Sequence, residues 1–297
     1  MSRSYAPLHG IRILSLALNL PGPAALMRCR RMGATCTKLE PPSGDPMGHY
    51  NPAAYGELHE GVKLLQGDLK TPQGQELVHR ELARTDVLLT SFRPSALHKL
   101  GLAWKDLHGR YPSLSQVAIV GAPGARAEEP GHDLTYLADN GLVPGLELPA
   151  TLYADMSGSL MAAEAVLQAA LRKHERYAVG GDPHPEGLYL EVALSDAAAY
   201  LALPHRWGLT QPQGSVGGAH AGYRVYPCRD GRVAVAALES HFAARLCEAA
   251  GVPAGDAKTM FRKETHAAVA AFFASQSRAE LDVLAVEKDL PLHTMGA

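Results

Sequence analysis

Short apolar runs alternate with helix-like stretches through the first two thirds of the chain. Residues 11–16 (IRILSL) form an apolar run after Gly10 and predict a strand. Pro21-Gly22-Pro23 follow, and a helical stretch over 24–32 closes on Gly33, where a C-cap glycine belongs. Residues 34–39 (ATCTKL) predict a second strand, stopped by Pro41-Pro42. Residues 41–62 are rich in Pro, Gly, Asn and His and read as a long surface excursion. Thr71 as cap and Pro72 at the first helical position open a helix to about Arg84. Residues 86–90 (DVLLT) and 114–120 (LSQVAIV) predict further strands, with a helix opening at Pro94 between them. The longest helical stretch covers 156–173. A strand at 188–194 (LYLEVAL) and an Ala-rich helix from Asp196 follow it. This alternation predicts an α/β fold with a mostly parallel, helix-covered sheet.

The pattern changes after residues 206–222, whose Gly, Pro and Gln predict a linker. Runs at 223–228 and 233–238 flank Arg229-Asp230-Gly231-Arg232 and predict a hairpin turning at Asp-Gly. Helices are expected over 242–250, over 265–274 and from Ser277, where Ser277-Arg278-Ala279-Glu280 is a capping box. The expected organisation is a large α/β domain at 1–205, a linker at 206–222 and a small α+β domain at 223–297.

Composition narrows the function. Of 297 residues, 46% are hydrophobic and 20% charged, which excludes wholesale disorder. The net charge is −2, and no segment has the basic excess that a phosphate backbone needs, so nucleic acid is not an expected partner. No apolar run is long enough for a membrane span, and residues 1–10 lack a signal peptide's apolar core. Cys29, Cys36, Cys228 and Cys247 form no C-x-x-C pair. Reduced, mostly buried thiols and a cytoplasmic location are expected. Fourteen histidines include no H-E-x-x-H, and no metal site is expected. The first strand-helix turn is Asn19-Leu20-Pro21-Gly22-Pro23 rather than G-x-G-x-x-G. Proline has no N–H for a pyrophosphate, so a nicotinamide or flavin cofactor is disfavoured. Ser95, Ser157 and Ser215 lie outside any G-x-S-x-G elbow.

Several short motifs occur in a fixed order: Pro7-Leu8-His9-Gly10-Ile11-Arg12-Ile13-Leu14, Pro21-Gly22-Pro23, Met32-Gly33-Ala34, and Lys38-Leu39-Glu40-Pro41-Pro42. Gly67-Asp68-Leu69-Lys70-Thr71-Pro72-Gln73-Gly74, Thr85-Asp86-Val87-Leu88 and Phe92-Arg93-Pro94-Ser95 continue the series. Together they resemble the family III CoA-transferases (CaiB/BaiF), a group that includes the α-methylacyl-CoA racemases. Ser95 stands where that pattern has glycine. Gly131-His132-Asp133-Leu134-Thr135-Tyr136-Leu137 and Ala237-Leu238-Glu239-Ser240-His241-Phe242 resemble segments of the racemase branch, and Tyr153-Ala154-Asp155-Met156-Ser157-Gly158 falls where the whole family has its catalytic aspartate.

The resemblance implies a large Rossmann-like domain, a CoA thioester as substrate with no other cofactor, and a homodimer. It implies His132, Asp155 and Glu239 as catalytic residues, with Lys70, Arg93, Lys99, Gly67 and Tyr136 contacting CoA. A thioester acidifies its α-proton, and inverting that centre needs a base on each face. His132, oriented by Glu239, would serve one face and Asp155 the other, which makes an α-methylacyl-CoA racemase the leading expectation. The first alternative is a CoA-transferase with Asp155 as nucleophile. The second is a non-catalytic acyl-CoA-binding homologue. Set against the family pattern, the chain is expected to stop short of the return to the large domain that helps interlock the family's dimer. A homodimer is expected, with interlocking left open. Only 22 residues separate His132 from Asp155, which shortens the expected wall of the site.

Overall fold

The computed structural model describes residues 5–175, 185–253, 255–256 and 258–296. The chain divides into two compact units, Met1–Ala202 and Leu203–Ala297. In the first, β1 (Arg12–Ser15), α1 (Pro21–Arg31) and β2 (Thr35–Glu40) are followed by α2 (Met47–Tyr50), α3 (Pro52–Leu58) and β3 (Lys63–Gln66). Next come α4 (Pro72–Leu82), β4 (Val87–Thr90), α5 (Pro94–Lys99), α6 (Trp104–Arg110) and β5 (Ser115–Val120). The unit ends with α7 (Asp133–Asp139), α8 (Tyr153–His174), β6 (Tyr189–Ala193) and α9 (Leu194–Leu201). Six strands form one sheet in the order β3-β2-β1-β4-β5-β6, every pair parallel. This is the expected α/β architecture in the doubly wound strand order. The chain reverses direction across the sheet between β1 and β4, and ligands of such sheets sit beyond the carboxyl ends of the strands there.

The central strands β4 and β5 are buried along their whole length, as parallel strands covered on both faces must be. One core lies beneath α1 and α8, where Ile13, Leu89 and Val117 meet Leu26, Ala162 and Val166. The other lies beneath α4, α5 and α6, where Leu14 and Leu88 meet Val78, Leu82, Leu97 and Leu107. The buried face of α8 is made of small residues, among them Ala154, Gly158, Ala162 and Ala169, which lets it approach its neighbours closely. A Cβ on Gly158 would fall 2.3 Å from Leu194 Cδ2.

The stretch 41–62 is largely exposed, as its composition suggests, but it is not irregular. It folds as α2 and α3 and buries Asp45, Met47, Leu58 and His59. The cause is Lys38, whose side chain is fully buried on β2. Its ammonium pairs with Asp45 and lies 3.1 Å from Glu40 Oε1 and 2.9 Å from His59 Nε2. Asp45 also accepts the backbone N–H groups of Asn19 (3.1 Å) and Met47 (2.9 Å), and Tyr55 donates its hydroxyl to Glu40 (2.9 Å). A buried charge persists only when paired and hydrogen-bonded, and this network does both.

In the second unit, α10 (Leu203–Arg206) and a short 3-10 turn (Ser215–Gly217) precede β7 (Tyr223–Cys228) and β8 (Gly231–Ala236). Then α11 (Ser240–Ala249), α12 (Lys263–Ser275), α13 (Arg278–Glu287) and β9 (Leu292–Met295) complete it. The strands form an antiparallel sheet in the order β7-β8-β9. Cys228 pairs with Gly231, so the hairpin turns on Arg229 and Asp230, one residue earlier than expected. Gly231 is needed for another reason: a Cβ there would meet the Met295 carbonyl oxygen of β9 at 2.3 Å. The Ser277–Glu280 capping box forms, with Ser277 N–H donating to Glu280 at 2.7 Å. Tyr226, Val233, Leu246, Phe273 and Leu281 make the core of this unit.

Candidate active site

The strand exits at the switch point are tied together first. Leu18 N–H, beyond β1, donates to Ser91 Oγ, beyond β4, at 3.2 Å. Asn19 then takes a left-handed backbone conformation (φ 63°), which asparagine tolerates better than most residues. Pro21 starts α1, and a Cβ on Gly22 would fall 2.2 Å from the Ala17 Cβ. The P-G-P turn is therefore a packing device that sets α1 directly over the end of β1.

Asp155 sits in the first turn of α8, half-buried. Its backbone N–H donates to Asp133 Oδ1 at 3.0 Å, and Asp133 is itself buried at the first position of α7. The beginnings of two helices are thereby joined through one carboxylate. His132 is the exposed N-cap of α7, and its N–H donates to Thr135 Oγ1 at 3.1 Å. Burial pushes the Asp155 carboxyl up to about 6, the Asp133 carboxylate adds to the rise, and His132 opposes it. Among the described residues no hydrogen bond reaches the Asp155 carboxylate oxygens. A carboxyl so placed ionises near neutrality and is free to act as base or nucleophile.

Tyr136 is buried beside this pair. Its hydroxyl is wedged against Gly121 and Gly131, where an added Cβ would come within 2.3 and 2.5 Å. Burial raises the phenol's pKa, Asp155 raises it further, and Arg93 lowers it. Tyr50, at the end of α2, also feels Asp155. Tyr136, expected to contact CoA, packs its ring in the core beneath α8.

The Asp68–Gly74 motif builds a rigid turn. Asp68 Oδ1 accepts the Lys70 N–H (3.0 Å). Thr71 Oγ1 caps α4 by accepting the Gly74 N–H (3.1 Å) and donates to the Asp68 carbonyl (2.8 Å). A Cβ on Gly74 would lie 1.9 Å from that carbonyl oxygen. Gln75 then donates to the carbonyls of Leu69 (2.6 Å) and Leu100 (3.1 Å) and joins this turn to the end of α5. Between the two lies a cleft of about 730 Å³ lined by Leu69, Lys70, Phe92, Ala96, Lys99 and Leu100, among others. Lys70 and Lys99 thus share one cleft. Arg93, the N-cap of α5, begins the helix that forms its wall. Gly67 lies outside the lining and packs against Leu77 and Leu39.

Glu239 belongs to the second unit, where it is the exposed N-cap of α11. Asp133 is a site residue that was not expected beside His132, and it holds the Asp155 backbone from the start of α7. An acidic residue at a helix start was the available signal. Equally unforeseen is the only metal-like cluster among the described residues, Glu40, Asp45 and His59, whose ligand atoms lie within 4.8 Å of one another. The Lys38 ammonium already supplies positive charge to all three. His59 Nδ1 donates to the Tyr55 carbonyl (2.7 Å), which leaves Nε2 to accept from Lys38.

Comparison with known proteins is decisive for the family, because residues 8–296 match CoA-transferase family III. The chain belongs to that family. A succinyl-CoA–D-citramalate CoA-transferase of Chloroflexus aurantiacus is 30% identical over 95% of this chain and 72% of its own length. The human α-methylacyl-CoA racemase is 27% identical over 82% of this chain and 65% of its own. A crystal structure of a Mycobacterium tuberculosis protein superposes with a TM-score of 0.82 at 24% identity, covering 98% of this chain and 86% of the other. This family III CoA-transferase member therefore comes from a family of enzymes, with its fold shared along nearly its full length.

Proposed function

We propose that this chain moves CoA between carboxylic acids, with Asp155 carrying the covalent intermediates. The setting of Asp155 carries the reading: a half-buried carboxyl at a helix start, titrating near 6, with its oxygens unengaged among the described residues. The carboxylate attacks the thioester carbonyl; the C–S bond breaks and CoA leaves as thiolate, giving a mixed anhydride. The thiolate attacks the Asp155 carbonyl; the C–O bond breaks and the donor acid leaves as carboxylate. An acceptor carboxylate then attacks this aspartyl-CoA thioester, and the same steps in reverse release acceptor-CoA and restore Asp155. The first turn of α8 favours the negative charge that develops on the oxyanions. Lys70 and Lys99 offer cations to CoA phosphates above the apolar floor of their cleft, with Arg93 close by. The Chloroflexus relative is a succinyl-CoA–D-citramalate CoA-transferase, which supports the reaction type.

One observation favours a second reading, the racemase. His132 is exposed, and its charge is felt at Asp155. On that reading the two serve as bases at the α-carbon. Intact-mass analysis of the protein quenched with a CoA thioester decides between them. An aspartyl-CoA adduct, absent from Asp155→Asn, is expected for the transferase. Exchange of the α-proton of 2-methylacyl-CoA in deuterated water, with loss of stereochemistry and no adduct, makes it a racemase. Binding with neither outcome identifies a non-catalytic homologue.

We also place the protein in the cytoplasm as a homodimer. Its four free cysteines, three of them buried, and a stripe of exposed Tyr153, Met156 and Leu160 along α8 support this. No helix among the described residues is long and apolar enough to cross a membrane.

A further inference from the structure

The loop from Gly121 to His132 delivers the chain from β5 to the candidate site. It is held at its start and at its end. Near the start, the Gly121 carbonyl accepts Ser195 N–H (2.9 Å), and Gly124 N–H donates to Glu191 on β6 (2.8 Å). Near the end, the Glu128 carboxylate takes two hydrogen bonds from one residue of α5. Ser95 N–H donates to Oε1 at 2.6 Å, and the Ser95 hydroxyl donates to Oε2 at 2.8 Å. Both are charge-assisted, and the N–H bond is short. They hold the Glu128 carboxyl below the ordinary carboxylate range, with Arg93 and Lys99 adding to the effect. The hydroxyl bond exists only because serine stands at 95; a glycine there would keep the N–H bond alone.

Four residues after Glu128 come His132 and then Asp133, the residue that accepts the Asp155 N–H. Ser95 sits one residue before Ala96 on the helix that lines the lysine cleft. One carboxylate therefore joins the cleft wall to the segment around Asp155. Its neighbour Glu129 offers a built-in contrast, since it pairs with Arg126 of its own loop at 2.9 Å.

We infer that Glu128, with Ser95 as its partner, is a positioning residue: it fixes the loop that presents His132 and Asp133 to Asp155. The inference rests on Asp155 as the reacting group. A clamp of this kind acts on geometry at the reacting atoms, so its loss lowers turnover more than binding.

The test is a set of single variants in the full chain, assayed for the reaction that the wild type performs. Glu128→Ala is expected to lower kcat about tenfold or more while KM for the CoA thioester changes less than about threefold. Glu128→Gln keeps one acceptor and restores most of the rate. Ser95→Gly loses only the hydroxyl bond and costs about two- to threefold. Glu129→Ala leaves kcat and KM unchanged. Hydrogen exchange over residues 122–132 is measured on the same proteins. Faster exchange in Glu128→Ala, by about tenfold, and not in Glu129→Ala is expected. The pH profile adds a readout that simple loosening would not move. Asp155 is faced by His132, Asp133 and Tyr136 of the α7 segment and by Tyr50 of α2. Displacing His132 removes a charge that lowers the Asp155 pKa, so the acid limb of kcat shifts to higher pH. An active wild type with an unchanged kcat and acid limb in Glu128→Ala overturns the clamp and leaves the function standing. A wild type that catalyses neither reaction overturns the function. The clamp then stands or falls on the exchange of residues 122–132.

Discussion

Two aspartates near the carboxyl edge of the same sheet have opposite surroundings. Asp45 is buried and saturated: it accepts Lys38 and the N–H groups of Asn19 and Met47. Asp155 is half-buried, sees a second carboxylate, and has no donor on its oxygens among the described residues. The first carboxylate is used up in holding β2 to the Asn19 turn. The second is left with its lone pairs available and its charge disfavoured. A fold stores reactivity where it withholds hydrogen bonds and stores rigidity where it supplies them.

The largest way to sharpen this contrast is Asp155→Asn. Turnover should fall by at least about a thousandfold, because the carboxylate is the reacting group on either reading. The same change should stabilise the fold at pH 8. The folded carboxyl titrates near 6 against 3.8 for the free group, so ionisation favours the unfolded chain as pH rises through 6. The gain is no more than about 3 kcal/mol and vanishes below about pH 4. Urea melts at both pH values read it, and an equal gain at pH 4 would break the argument.

Lys38→Met tests the opposite pole. It strands the Asp45 and Glu40 carboxylates in the interior and should cost about 3–5 kcal/mol in urea unfolding. Adding Asp45→Asn should recover part of that loss. A smaller effect is expected in wild-type kcat, whose acid limb should fall near pH 6 if ionised Asp155 reacts. Smallest are Lys70→Ala and Lys99→Ala. Each should raise KM for the CoA thioester by about three- to tenfold, less at high salt, with kcat nearly unchanged. A kcat loss instead would place these lysines at the chemistry rather than at the cleft.

The sequence made the alternating layers legible because β1, β4 and β5 carry the short apolar runs Ile13-Leu14, Val87-Leu88-Leu89 and Val117-Ala118-Ile119-Val120, all buried. It also placed Asp155 at a helix start, through Met156 and the small residues after it. The edge strand β3 (KLLQ) escaped, since four residues with exposed ends show neither alternation nor an apolar run. The stretch 41–62 hid its two helices for a different reason. Its Pro, Gly and His are turn-like locally, and only the distant Lys38 explains why Asp45 and His59 are inside. Tyr136 and Gly67 were legible as motif members, but their packing against Gly121, Gly131 and Leu77 was not. The Ser95–Glu128 pair spans 33 positions and has no local signature.

The turn before α4 has a consequence for reading other chains. Gly74 has no room for a side chain against the Asp68 carbonyl, and Thr71 and Pro72 start the helix that presses it there. A descendant that had lost its chemistry altogether would still be obliged to keep these residues in order to fold. The Asp155 carboxylate, with no donor on its oxygens among the described residues, carries no such obligation and would be the first to drift. The motif most easily spotted along the chain is therefore a mark of ancestry, and that quieter aspartate tells a working copy from a silent one.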